Sequence, residues 1–105
     1  MVVSPVPDAE LAIRVIGDRM EPEIKPDTIL YIKKIDSSLF IPGGKPMVLD
    51  TENGSLVKVV LPSPDNNEMI IAKSYNPKYP PIDVPKNTIY GVYRILGQFI
   101  HTPMI

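Results

Sequence analysis

The chain has no cysteine, no tryptophan and a single histidine. Disulfide staples and thiolate metal sites are therefore excluded, and His101 has no second histidine with which to form an imidazole cluster. No metal and no cofactor are expected. An excess of charge is also missing: 11 Lys and Arg face 12 Asp and Glu, for a formal charge of −1. A nucleic-acid reader carries a basic patch or stripe, and this composition has no surplus from which to build one. No apolar run approaches the roughly 18 residues that span a bilayer, and no signal-peptide pattern is visible. The expectation is a cytoplasmic protein without membrane contact. Alanine is scarce as well, at 3 residues against 14 Ile and 10 Val. β-branched residues fit a pleated surface and alanine fits a helix, so helical bundles and coiled coils are excluded.

Proline is abundant, at 13 of 105 residues, against a usual share of roughly 5 %. It breaks helix interiors and central strands, so it cuts the chain into pieces of strand and hairpin length. Disorder does not follow, because 44 % of the residues are hydrophobic and the net charge is small. The length makes one domain. Residues 1–10, with Pro5 and Pro7, read as an arm or a linker stump, and 11–105 as the folded unit.

Within that unit the alternating and apolar runs predict strands at Leu11–Ile16, Thr28–Lys33, Met47–Thr51, Ser55–Leu61, Met69–Lys73 and Ile89–Ile100. Asn53-Gly54 between two apolar runs is a strong hairpin signal. Gly17–Pro22 reads as a turn with room for a short helix. Ser74–Lys86, with four prolines, reads as a loop of little regular structure. The fold class is all-β, with six or seven strands in a barrel or folded sheet.

Three segments carry a resemblance. Val15-Ile16-Gly17-Asp18-Arg19-Met20-Glu21-Pro22 is similar to the V-x-G-D-S-M-E-P signature of the LexA-like repressor peptidases. Ser55–Val60 resembles their lysine strand, and Ser74-Tyr75-Asn76-Pro77-Lys78-Tyr79-Pro80 resembles the S-x-N-P-x-Y-P loop of phage-type members. Ile89–Gly97 resembles their closing strand. All lie in the family's order, over roughly residues 11–100. The implied fold is a LexA- or signal-peptidase-like folded sheet, or partly open barrel. The implied chemistry is self-cleavage by a serine–lysine dyad, in which a buried neutral lysine takes the proton of the serine. Lys58 stands at the general-base position, and Asp18, Met20, Glu21 and Pro22 would line the cleft.

The nucleophile position holds Arg19. A guanidinium stays protonated and cannot attack a carbonyl. Beside Lys58 it also opposes the neutral, dry site that a dyad needs; at about 4 Å and a dielectric near 20 two like charges cost ~4 kcal/mol. Arg19 is therefore expected to turn to solvent or to pair with Asp18, Glu21 or Glu23. The reading is a domain that does not cut itself. Ser37, Ser38, Ser55 and Ser74 are the candidates for a relocated nucleophile. Asp18 and Asp27 read as turn and capping residues, and Met20 as a core or cleft residue.

The resemblance also implies homodimerisation, which brings two helix-turn-helix domains onto a two-fold operator. The closing strand is expected to end the sheet and offer Tyr90, Val92, Tyr93 and Ile95 to a partner copy. DNA would be contacted only through an amino-terminal helix-turn-helix domain absent from this sequence. The full reading is the carboxy-terminal dimerisation and regulatory domain of a prophage-type repressor, with a RecA filament as a possible inducing partner. The alternatives are an active peptidase with a rewired site and a UmuD-like accessory of the mutagenesis response.

Overall fold

The computed structural model describes residues 6–36 and 43–100. Ser37, Ser38 and His101 lie outside the described residues. Seven strands form: β1 (Leu11–Arg14), β2 (Ile29–Ile35), β3 (Pro46–Thr51), β4 (Gly54–Pro62), β5 (Met69–Lys73), β6 (Ile82–Pro85) and β7 (Ile89–Phe99). They make one antiparallel sheet in the order β1-β2-β7-β3-β4-β5-β6. Among the described residues there is no α-helix, and so none that could cross a membrane. The all-β expectation holds, as a sheet with two free edges at β1 and β6.

Three details correct the sequence reading. The Gly17–Pro22 segment is turns without a helix, entered through Gly17 at φ +83°. The proline-rich loop contains β6, which sits at a sheet edge where prolines forfeit no ladder bond on the outer side. The last strand does not end the sheet: β7 is paired with β2 on one side and β3 on the other. Its length lets it staple both halves of the sheet, so its backbone edges are used within the chain.

The predicted hairpin is present. Thr51 pairs with Gly54, and Gly54 takes φ +99°, a conformation that glycine adopts without strain. The Thr51 hydroxyl donates to the Gly54 carbonyl and accepts from the Asn53 N–H, closing the tip.

The hairpin's alternation feeds two cores. Val48 and Val59 join Val15, Met20, Ile24, Leu30 and Ile32 in one cluster. Leu49 and Val60, one residue along, join Ile70, Ala72, Val84 and Val92 in the other. Burying each such side chain contributes about 1.5–3 kcal/mol. The first cluster is partly built from the 15–24 segment. That segment is pinned by the Val15 N–H on Thr28 and the Asp27 N–H on Val15. Asp27, at φ +67°, is a turn residue as expected. The predicted arm already meets the fold at its end, where the Glu10 N–H donates to Ile32.

Candidate functional site

The strand pairing leaves a groove with two backbone rims. Among the described residues β1 pairs only with β2, so its other side is open. The β4–β5 ladder begins at Val59, so among the described residues the stretch Gly54–Lys58 has β3 on one side and no strand on the other. Between these rims lies a cleft of about 240 Å³, lined by residues 13–16 of the β1 side, Arg19 and Met20 of the turn, and residues 55–58 of β4.

Lys58 stands one residue before the Val59–Lys73 rung, and Ser74 one residue after it, so the two are cross-strand neighbours. The Lys58 Nζ donates to Ser74 Oγ at 2.7 Å. Both are buried, at 7 % and 3 % exposure. Burial pushes the Lys58 ammonium below the ordinary lysine range, and the Arg19 charge adds to the shift. This is the environment that a general-base lysine requires: little water, one acceptor, and a bias toward the neutral amine. Ser74 closes the inner end of the pair and is not part of the cleft wall. Ser55 is exposed at the cleft rim.

Arg19 is exposed, as expected, but not paired with a carboxylate. Its guanidinium carbon lies 5.0 Å from the centre of the Tyr79 ring. The expected partner Asp18 is already taken. Lys78 Nζ lies 2.8 Å from its carboxylate, and the Tyr79 hydroxyl donates to it at 2.6 Å. These bonds hold the Asp18 carboxyl below the usual range, Lys78 first and Tyr79 second. The same bonds raise Lys78 and Tyr79. Asn76 adds the backbone tie: its N–H donates to the Arg19 carbonyl at 2.9 Å and its amide to the Asp18 carbonyl at 3.0 Å. The Asn76–Tyr79 loop thus grips the Asp18–Arg19 turn through five contacts.

Of the residues singled out from sequence, Lys58, Arg19 and Met20 come together at the cleft, Met20 serving both core and wall. Asp18 stands behind the turn in the Lys78–Tyr79 network. Glu21 continues the turn through its N–H to the Asp18 carbonyl, and Pro22 is exposed; neither lines the cleft. On β7, Tyr90 is 63 % exposed, whereas Val92, at 2 %, belongs to the core. Tyr93 and Ile95 pack against the first cluster. Val92 is therefore corrected from a surface to a core residue, because β7 is an interior strand with its alternate side chains turned into the molecule.

Sequence reasoning missed the partnership of Lys58 with Ser74 and the anchoring of Arg19 by Tyr79. The signal for both was the Ser-x-Asn-Pro-x-Tyr loop, which the sequence presents only as a loop of little regular structure. A family model described as Peptidase S24-like matches residues 2–100. No curated protein matches the chain.

Proposed function

The chain belongs to the Peptidase S24-like family, and from that premise we propose that it is the regulatory, dimer-forming domain of a repressor-type protein that does not cut itself. The observation that carries this reading is the turn at Arg19. By the sequence resemblance the nucleophile position is Arg19, whose guanidinium is exposed over the Tyr79 ring and whose backbone carbonyl accepts from Asn76. That guanidinium has no lone pair to offer a carbonyl and no proton that Lys58 can remove at ordinary pH. The general base keeps its place, with its hydrogen bond made to the buried Ser74 and not to Ser55, the serine at the cleft rim.

A second reading is favoured by one distance. Ser74 Oγ lies 2.7 Å from Lys58 Nζ, within reach for proton transfer. Against it stands the burial of Ser74 behind the lysine, away from the cleft in which a peptide would lie. In the preferred reading Ser74 is a positioning residue that orients the amine.

Incubating the full chain at alkaline pH, where lysine is neutral, and following it by mass spectrometry tests both. The expected outcome is an intact chain. A specific internal cut lost in Lys58→Ala would overturn the non-cleaving reading, and loss in Ser74→Ala as well would select the relocated dyad.

Dimerisation would act by pairing two DNA-binding domains on a two-fold site. The apolar carboxy-terminal end of β7, with Phe99 and Ile100 exposed, suits such a contact better than the middle of that strand. Sedimentation at roughly 50 μM should give a dimer; a strict monomer overturns this part.

A further inference from the structure

The cleft beside Arg19 has a charge pattern that the loss of a nucleophile does not explain. Among the described residues its walls carry Arg14, Arg19 and Lys58 and no carboxylate. The nearest acid in sequence, Asp18, is occupied by Lys78 and Tyr79. The Arg19 side chain donates no hydrogen bond to any described residue, and its guanidinium carbon lies 5.0 Å from the centre of the Tyr79 ring, whose hydroxyl is bonded to Asp18. A guanidinium held over an aromatic ring with its donors unused is a two-pronged receptor for a carboxylate.

The remaining features specify the rest of the ligand. The two open backbone rims, along β1 and along Gly54–Lys58, offer N–H and C=O groups in extended register. A strand added at such an edge gains main-chain hydrogen bonds and places alternate side chains toward the wall. The wall supplies apolar contacts from Ile13, Val15, Met20, Leu56 and Val57, with Ile16 89 % exposed at the mouth. Among the described residues no aromatic ring lines the cleft to stack a nucleobase.

We propose that this cleft binds an extended, acidic peptide segment without cutting it, the carboxylate side chains docking on Arg19 and Arg14 and the backbone joining an open strand rim. The absence of cutting rests on the non-cleaving reading above; the binding does not. The domain would then sense a partner protein through the groove that in a competent peptidase would hold the scissile segment.

The test is fluorescence anisotropy on the full 105-residue chain. The probe is a dansylated, carboxy-amidated heptapeptide of alternating valine and glutamate, set against the same peptide with glutamine. The glutamate peptide should bind roughly tenfold tighter or better, the scale of one charge-assisted hydrogen bond. Arg19→Gln and Arg14→Gln should each remove most of that difference, while Lys86→Gln, at the distant 3₁₀ turn Lys86–Thr88, should leave it. Both arginines are exposed, so the folded state is preserved and checked by circular dichroism. Equal affinity for the two peptides overturns the proposal. So does a dansylated oligothymidylate that binds more tightly and loses affinity in the same variants, which would assign the site to nucleic acid. Mass spectrometry of the bound peptide separates the two readings: a cut peptide overturns the non-cleaving reading alone, and a missing glutamate preference overturns the binding proposal alone.

Discussion

Lys58 and Lys78 each place Nζ against a side-chain oxygen, 2.7 Å from Ser74 and 2.8 Å from Asp18, yet their acidities move in opposite directions. Lys58 falls because burial removes the water that a cation needs, and its neutral partner returns little of that loss. Lys78 rises because it keeps its water and gains a carboxylate. The same functional group is thus prepared as a base in one place and as a fixed cation in the other. Hydrogen-bond length does not distinguish the two; solvent and partner charge do.

The largest test of this contrast is Ser74→Ala. It leaves the buried amine without an acceptor and should cost about 1–3 kcal/mol in urea unfolding. The contrast is weakened if the variant unfolds at the same urea concentration as the parent.

Next comes Asn76→Ala, which removes the side-chain tie to the Asp18 carbonyl and should cost about 1 kcal/mol. It should also loosen the loop from the Arg19 turn, read as faster hydrogen exchange of the residue-76 N–H that donates to the Arg19 carbonyl. Lys78→Met, by contrast, should leave the neutral-pH urea midpoint unmoved, as exposed ion pairs usually do.

The smallest effect sharpens the comparison most. The unfolded chain holds the Lys58 proton more readily than the folded one, so stability should climb with pH from the lowered value up to roughly 10.4. For Lys78 and Tyr79 the folded state holds the proton longer, so stability should fall as pH rises past roughly 10. Lys58→Met should abolish the rising limb and Lys78→Met should shallow the falling one, each read from urea midpoints across alkaline pH. Identical profiles in the two variants would mean that burial does not separate these lysines.

Much of the scaffold was legible in the sequence because it rests on local chemistry. The Asn53-Gly54 hairpin, the apolar runs of β2, β4 and β5, and the turn after Gly17 are set by residues within a few positions of one another. β6 was not legible, since Pro81 precedes it and Pro85 ends it, and only its place at a sheet edge makes them harmless. Lys58 and Arg19 stood out in the sequence, and the fold sets both at one cleft. The bond from Lys58 to Ser74 spans sixteen positions, and it exists because the β4–β5 ladder sets both residues one step beyond its final rung. The sequence pointed Arg19 toward carboxylates on its own turn. Tyr79, sixty positions away, won because Lys78 had already claimed the best of them.

The alternation of β3 and β4 into two apolar clusters has a consequence for strand registry. Val48 and Leu49 face opposite cores, as do Val59 and Val60. A slip of one residue would exchange apolar partners for apolar partners, and burial alone would penalise it weakly. Lys58 is the exception in that pattern. Displaced by one position, its amine would turn to the opposite face and leave Ser74 behind, an unpartnered polar group in an apolar layer. The buried lysine therefore acts as an index mark on β4, a polar side chain whose partner is met only in the native alignment with β5.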